Sequence, residues 1–423
     1  MTVHSCPKQD MTLGRPEVYG SGELSHTRLP DRRRPNVTAS CSMFSQILKL
    51  IPRTDFQRIV QQTGAEYRSK GLSSWSQFVA MLFCQLGRAH SLREIEGGLK
   101  SCEGKLVHLG ITAPARSSLS YANAHRPWEL FEQVFYGLYE RVAAQVTGQR
   151  KFRFKNKLLS LDSTVIDLCL SLYDWAKFRR TKGAVKLHLV LDHDGYLPSF
   201  GLITDGKVQD VTVARQFSFA PGTIVVDDRG YNDYRLFAEW TESGVFFVTR
   251  LKANAQFEVV EEREPPQHRR ILKDQTIRLT GTGAQEKCPH LLRRIEVVRE
   301  DTGDILVFLT NHHGLGASTI AAVYKDRWQI ELFFKALKQN LKIKTFIGTS
   351  ANAVKTQIWT ALIAMLLLRY LQLTSRFGWS LANLVALLRM NLFTHRDLMA
   401  WLAEPFGTPP QPQASTQTVM ALG

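Results

Sequence analysis

Tyr324-Lys325-Asp326-Arg327-Trp328-Gln329-Ile330-Glu331-Leu332-Phe333-Phe334-Lys335-Ala336-Leu337-Lys338 reads as one amphipathic helix. It holds no Gly or Pro, and Asn340 just beyond it is a weak stop signal. At about 100° per residue, Val323, Ile330, Phe334, Leu337 and Leu341 fall in one stripe roughly 60° wide. Tyr324, Arg327, Glu331 and Lys338 fall in an adjoining stripe of roughly the same width. One edge is apolar, and the edge beside it aligns a phenol, a guanidinium, a carboxylate and an ammonium. A carboxylate can hold a divalent metal, and the two cations can hold phosphates. The same edge also suits a solvated helix face with an i,i+4 pair between Arg327 and Glu331. The residues upstream decide between the two.

A chain of 423 residues suggests two or three domains, and 44% hydrophobic residues are ample for a large core. The net charge of +16 favours a polyanionic partner, most simply nucleic acid. Six scattered cysteines with no C-x-x-C pair argue against a zinc site or a disulfide framework and suit a reducing cytoplasm. No apolar run is read as a membrane span. The most apolar stretch, Ile358 to Leu368, is followed by Arg369-Tyr370 and reads as a buried helix. No apolar core follows Met1, so no signal peptide is expected.

In chain order, residues 1–42 lack an apolar period, carry the Arg32-Arg33-Arg34 run and read as disordered. The first patterned residue is Phe44, so a natural start at Met43 is plausible on pattern alone. Residues 43–150 read as helical, with serine caps at Ser73 and Ser74 and a capping box from Ser91 to Glu94 in a layout like a helix-turn-helix. The basic, polar stretch Ala115 to Arg126 offers Arg116 and Arg126 for phosphate or guanine and Asn123 for adenine. An ordinary capped surface helix fits that stretch as well. From Lys157 the period changes. β-type runs cover Leu158 to Ile166, Val185 to Asp192, Leu197 to Thr204, Ile224 to Asp228 and Gly244 to Arg250, with a helix over Asp233 to Thr241. An Asp in an apolar strand is costly unless it is paired or binds metal, so Asp162 and Asp228 suggest a shared metal site. Residues 251–315 read as a charged, β-rich insertion, residues 316–405 as the helices that cover the sheet, and 406–423 as a disordered tail.

With Asp162, Asp228 and Glu331 in order, the chain resembles the DDE transposases of the insertion-sequence-four (IS4) family. The spacing Tyr324, Arg327, Glu331, Lys338 is similar to that family's Y-(2)-R-(3)-E-(6)-K signature. Leu161-Asp162-Ser163-Thr164 and Val226-Asp227-Asp228-Arg229-Gly230-Tyr231 resemble its two aspartate motifs, and the acid directly before the Arg-Gly-Tyr turn selects Asp228 over Asp227. The resemblance spans about residues 44–402. It implies an α/β fold: an RNase H-like mixed sheet with flanking helices, a β-rich insertion and an N-terminal helical DNA-binding domain. It further implies that Asp162, Asp228 and Glu331 hold two Mg²⁺ ions, with Mn²⁺ able to substitute, and that Arg327 and Lys338 grip the phosphates flanking the cut on DNA, with Tyr324 packing or donating beside them. The expected partners are double-stranded transposon ends and target DNA, bound by a homodimer in the bacterial cytoplasm with no membrane involved. A non-catalytic DNA-binding relic and an RNase H-like nuclease are the rival readings. No Trp lies between Trp240 and Trp328, so the tryptophan that stacks on a flipped base in some relatives has no counterpart in the insertion.

Overall fold

Serines open the helices of the N-terminal half. Ser42, Ser73 and Ser91 accept hydrogen bonds from the amides of Ser45, Ser76 and Glu94 at the starts of α1 (Met43–Leu48), α3 (Ser74–Leu86) and α4 (Leu92–Lys100). Between α1 and α3, α2 (Arg53–Thr63) ends at Gly64, whose φ of 62° is the left-handed cap glycine favours. The short α5 (Glu103–Leu106), α6 (Arg116–His125) and α7 (Glu129–Gln145) complete this half. The computed structural model describes residues 41–407 apart from 147–149, 170, 174, 180–181, 265–269 and 300. The expected disordered segments at 1–42 and 406–423 therefore lie almost entirely outside the described residues.

Among the described residues, ten strands then build one mixed sheet: β1 (Leu158–Leu168), β2 (Lys177–Arg179), β3 (Lys182–Asp192), β4 (Leu197–Asp205), β5 (Ile224–Val226), β6 (Phe246–Arg250), β7 (Phe257–Arg263), β8 (Ile271–Leu279), β9 (Leu292–Val298) and β10 (Ile305–Thr310). Their order is β2-β3-β1-β5-β6-β10-β9-β8-β7, with β4 beside β3. β1, β3 and β4 pair antiparallel, whereas β5 runs parallel to β1 and β6 parallel to β5. The charged β-rich segment extends this sheet, because β10 pairs antiparallel with β6.

Side-chain alternation sends the two faces of β1 to different cores. Leu159, Leu161 and Val190 pack with Phe237 and Trp240 on the face covered by α8 (Asp210–Ala214) and α9 (Tyr234–Glu242). The opposite face splits in two. Leu158, Val226, Val248 and Phe308 lie under α11 (Ala317–Asp326), reached after the short α10 (Ala284–Lys287). Ile166, Leu187 and Leu189 share a larger core with α12 (Trp328–Asn340), α13 (Ala351–Thr374), α14 (Leu381–Asn391) and the N-terminal helices.

The buried-helix expectation for Ile358 to Leu368 is met within a longer element. α13 spans 24 residues, long and apolar enough to cross a membrane by length and composition, and 83% of its most apolar window is buried. It packs against α3, α6, α7, α14 and β4. The single helix expected from Tyr324 to Lys338 is instead two, broken at Arg327 between α11 and α12. The break divides the apolar stripe. Val323 enters the core under α11, while Ile330, Phe334, Leu337 and Leu341 enter the larger one.

Finally, α1 is tied to the far end of the chain. The amides of Met43 and Phe44 donate to Thr394 O and Leu392 O at 3.0 and 2.8 Å, and Gln46 bonds Arg396 O and the amide of Leu398, which opens α15 (Leu398–Ala403).

The β8–β9 pair contains a bidentate ion pair, Arg293 Nε and Nη2 to Asp274 Oδ1 and Oδ2 at 2.8 and 2.6 Å, with the side chains only 3% and 4% exposed. Asp274→Ala leaves that guanidinium buried without its acid. We expect it to cost about 3–5 kcal/mol in chemical unfolding, and a loss below about 1 kcal/mol would mean that the pair contributes little to the sheet.

Candidate functional site

The site begins with strand register. β1 and β5 align Leu158 with Ile224 and Ser160 with Val226. Continuing that register by two residues brings Asp228 level with Asp162, on the same face of the sheet. β5 and β6 align Val226 with Val248, which puts Arg250 next in the row, and Arg250 is itself opposite Phe308 of β10. Asp162, Asp228, Arg250 and Phe308 thus form one line across four neighbouring strands, on the face that α11 and α12 cover.

Local chemistry fixes each member. Asp162 Oδ1 accepts the amide of Ser163 at 2.7 Å. Asp228 is in extended conformation and accepts the amide of Gly230 at 2.7 Å, capping the short turn Arg229–Tyr231. A Cβ at Gly230 would stand 2.9 Å from Asp228 Oδ1, so any side chain there would displace the Asp228 carboxylate. Asp227 has the opposite parity and is fully buried. Neither of its carboxylate oxygens has a hydrogen-bond partner among the described residues, and burial raises its pKa well above the ordinary value. Thr249, opposite it, directs its hydroxyl to Asp228 O and Asn232 Oδ1 instead.

The helices supply the rest. Arg327, at the break, reaches Asp162 Oδ2 with Nη1 at 3.4 Å and Glu331 Oε1 with Nη2 at 2.6 Å. Its side chain is 12% exposed, its Nε has no partner among the described residues, and its guanidinium lies 5.6 Å from the Tyr324 ring centroid. Burial opposes its charge, but Tyr324, Glu331 and Asp162 outweigh that and raise its pKa. Tyr324 packs on Phe308 at 4.7 Å, and burial raises its phenol's pKa, partly offset by Arg327 and Arg250. Lys338 Nζ donates to Val165 O at 3.0 Å, beyond Asp162 on the same strand. Asp162 itself is pushed up to about 7, chiefly by burial, with the charges of Asp228 and Glu331 adding to it and the Ser163 amide and Arg327 opposing it. Asp162 therefore feels the charges of both other acids, and one guanidinium joins it to Glu331.

Hard carboxylate oxygens suit a divalent ion, and repulsion among them is what a cation relieves. Among the described residues, no group of three or more His, Cys, Asp or Glu side chains is poised to hold a metal. Arg327 already bridges two of the acids.

Arg116 is exposed on α6, as its expected role requires. Asn123 and Arg126 are not: they are 2% and 7% exposed. Asn123 accepts from Gln77 Nε2 at 2.9 Å, while Arg126 donates to Gln77 Oε1 and Ser69 Oγ at 3.2 and 2.7 Å and to Leu72 O. Their polar atoms are satisfied inside the helical half, which corrects the expectation that both face a nucleic acid. The outward face of α6 instead carries Tyr121, 67% exposed and stacked on His125 at 4.1 Å. Lys186 and His188 lie on the opposite face of the sheet around Asp210 at 3.4 Å each, and burial lowers the His188 pKa to about 4. Sequence reading missed Arg250, whose place follows only from the pairing of β5 with β6.

The profile of the transposase DDE domain matches residues 153–367, and that of a domain of unknown function (DUF4372) matches residues 40–112. A putative transposase, y4zB, of Sinorhizobium fredii is 37% identical over 292 residues, 68% of this chain and 80% of the relative. A probable transposase for the insertion sequence element IS5377 of Geobacillus stearothermophilus is 30% identical over 57% of this chain and 65% of its own length. A putative transposase for the element IS4SA of Synechocystis is 24% identical over 68% and 81%.

Because the Asp162 pKa rises from 3.8 unfolded to about 7 folded, the folded chain binds more protons between those values. Stability without divalent metal should therefore fall as pH rises through about 4 to 7. Asp162→Asn escapes this. Its melting temperature should match wild type near pH 4 and exceed it by on the order of a few degrees at pH 8. If the variant is instead the less stable of the two at pH 8, the attraction to Arg327 outweighs the burial.

Proposed function

The chain belongs to the DDE transposases of the IS4 type carried by insertion sequences, and on that premise we propose that Asp162, Asp228 and Glu331 are its catalytic acids. The transposase cleaves and transfers DNA strands with divalent-metal dependence. The order β4-β3-β1-β5-β6, with antiparallel pairing through β1 and parallel pairing beyond it, supports reading the core as RNase H-like. The observation that carries the site assignment is that Arg327 joins Asp162 to Glu331 while the charges of Asp228 and Glu331 both act on Asp162.

Asp162, Asp228 and Glu331 would hold Mg²⁺, as two ions with Mn²⁺ able to replace them. Bound there, these supply an activated water or 3′-hydroxyl and stabilise the leaving oxygen. The chain's own groups do the rest. Asp162, near neutrality in its pKa, must lose its proton for the site to load. Arg327 offers a fork of donors that can turn from the acids to a phosphate at the cut. Lys338, at the outer end of β1, and Arg250, in the row beside Asp228, extend that positive edge. Tyr324, held on Phe308, presents its phenol beside it. In the helical half, Arg116 and the stacked Tyr121–His125 pair suit contact with the element's terminal inverted repeats. Two ends have to be cut and joined, so we expect a homodimer on paired ends, excising by cut-and-paste in the bacterial cytoplasm.

Glu331→Gln keeps the side chain's shape and removes its charge. On DNA carrying the element's own ends with Mg²⁺, we expect binding within about twofold of wild type and cleavage lower by at least on the order of 100-fold, since even partners of metal ligands cost about 10–100-fold. Equal cutting by both proteins would remove Glu331 from the site. End binding by a wild type that never cuts with any divalent metal would make the protein a DNA-binding relic.

A further inference from the structure

Asp326 immediately precedes the helix break, and its side chain is 1% exposed. Four donor contacts meet it. His193 Nδ1 lies 2.7 Å from Oδ2, the Tyr196 hydroxyl lies 3.1 and 3.3 Å from Oδ2 and Oδ1, and Lys151 Nζ lies 2.5 Å from Oδ1. Burial alone would raise the Asp326 pKa, but the bonds from His193 and Lys151 hold it below the ordinary range. On the far side of the imidazole, His193 Nε2 is 2.6 Å from Ser160 Oγ. His193 is 4% exposed and Ser160 fully buried. The His193 amide also donates to Leu158 O at 3.1 Å.

The acid–imidazole–hydroxyl order is that of a nucleophilic triad, but a fully buried Ser160 meets no substrate. What the chain of bonds joins is more informative. Ser160 is on β1, two residues before Asp162 and on the same face, and it pairs in register with Val226, two residues before Asp228. Asp326 is the last residue of α11, five before Glu331. The bonds therefore run from the strand bearing Asp162, at the position that pairs with β5, to the hinge of the helix bearing Glu331.

The lever is short. Glu331 is four residues beyond the break at Arg327, about 6 Å along a helix at about 1.5 Å per residue. A swing of about 10° at the break would move it by about 1 Å, beyond the roughly 0.5 Å that a catalytic constellation tolerates. Apolar packing of Ile330, Phe334 and Leu337 holds the body of α12, but it lacks the directionality of charged hydrogen bonds at the hinge.

We infer that Asp326 is a positioning residue that acts through His193 and Ser160 to set Glu331 and Arg327 against Asp162 and Asp228. This rests on the assignment of the three acids above.

The test uses full-length protein bound to its DNA ends and compares Asp326→Asn, His193→Gln, their double variant and Glu331→Gln. Calorimetric Mn²⁺ binding, end affinity, melting temperature, and the Mg²⁺ concentration that half-saturates cleavage are measured. We expect Asp326→Asn and His193→Gln each to weaken Mn²⁺ binding about 10–100-fold and to raise the half-saturating Mg²⁺, with end affinity within about twofold. The double variant should be no worse than the weaker single one, because both break the same chain. Unchanged Mn²⁺ binding in both single variants overturns the inference, as does a loss of end affinity that tracks the loss of metal, which would make the network a fold support. If Glu331→Gln binds Mn²⁺ as wild type does, the three-acid assignment fails first and this inference with it.

Discussion

Three carboxylates brought to one point repel one another, and the structure around them answers that repulsion. Two unit charges about 5 Å apart oppose each other by about 3 kcal/mol at an effective dielectric near 20. Register of β1 with β5 makes Asp162 and Asp228 neighbours whatever the cost, and α12 lowers Glu331 onto them. Arg327 supplies the counter-charge, and the helix breaks where it does so. An unbroken helix carries Arg327 and Glu331 as surface neighbours one turn apart. Ending α11 at Asp326 lets the guanidinium reach Asp162 on the sheet as well as Glu331 on its own helix. The buried Asp326 cluster then fixes the joint where the two helices meet.

Much of this was legible in the sequence, for identifiable reasons. Most strands, the three-residue β2 excepted, read correctly because alternation and β-branched apolar runs are local signals, and Asp162 stands out against them. The choice of Asp228 over Asp227 came from resemblance. The structure adds a parity argument: Asp228 shares the face of Asp162, whereas Asp227 points into the opposite layer. The break at Arg327 left no trace, because no Gly or Pro marks it and a helical wheel drawn across it stays amphipathic. Arg250 and Asp326 were equally invisible, since their places depend on strands paired at long range. Asn123 and Arg126 misled for the converse reason. A polar side chain looks like a surface residue until its partners, here Gln77, Ser69 and Leu72 more than forty positions away, are known.

The charged β-rich segment also changes character in three dimensions. From sequence it reads as an insertion. In space β10 hydrogen-bonds to β6, so that β9, β8 and β7 extend the sheet that carries the acids. Phe308, on β10, then lies under Tyr324 and completes the floor of the site. The outermost strand, β7, exposes Glu258, Glu261 and Glu262 along its edge, charges that discourage a second sheet from adding there.

The stitching of α1 to the chain's far end bears on how the protein is made. Phe44 and Leu392, joined by a backbone hydrogen bond, are 348 positions apart. At about 5–20 residues per second, a ribosome needs about 17–70 s to travel between them. α13, which closes the core of the helical half, emerges late in the same interval. The N-terminal helices thus leave the ribosome long before α13 and the Leu392 segment, and their packing against those surfaces waits for synthesis of the C-terminal half.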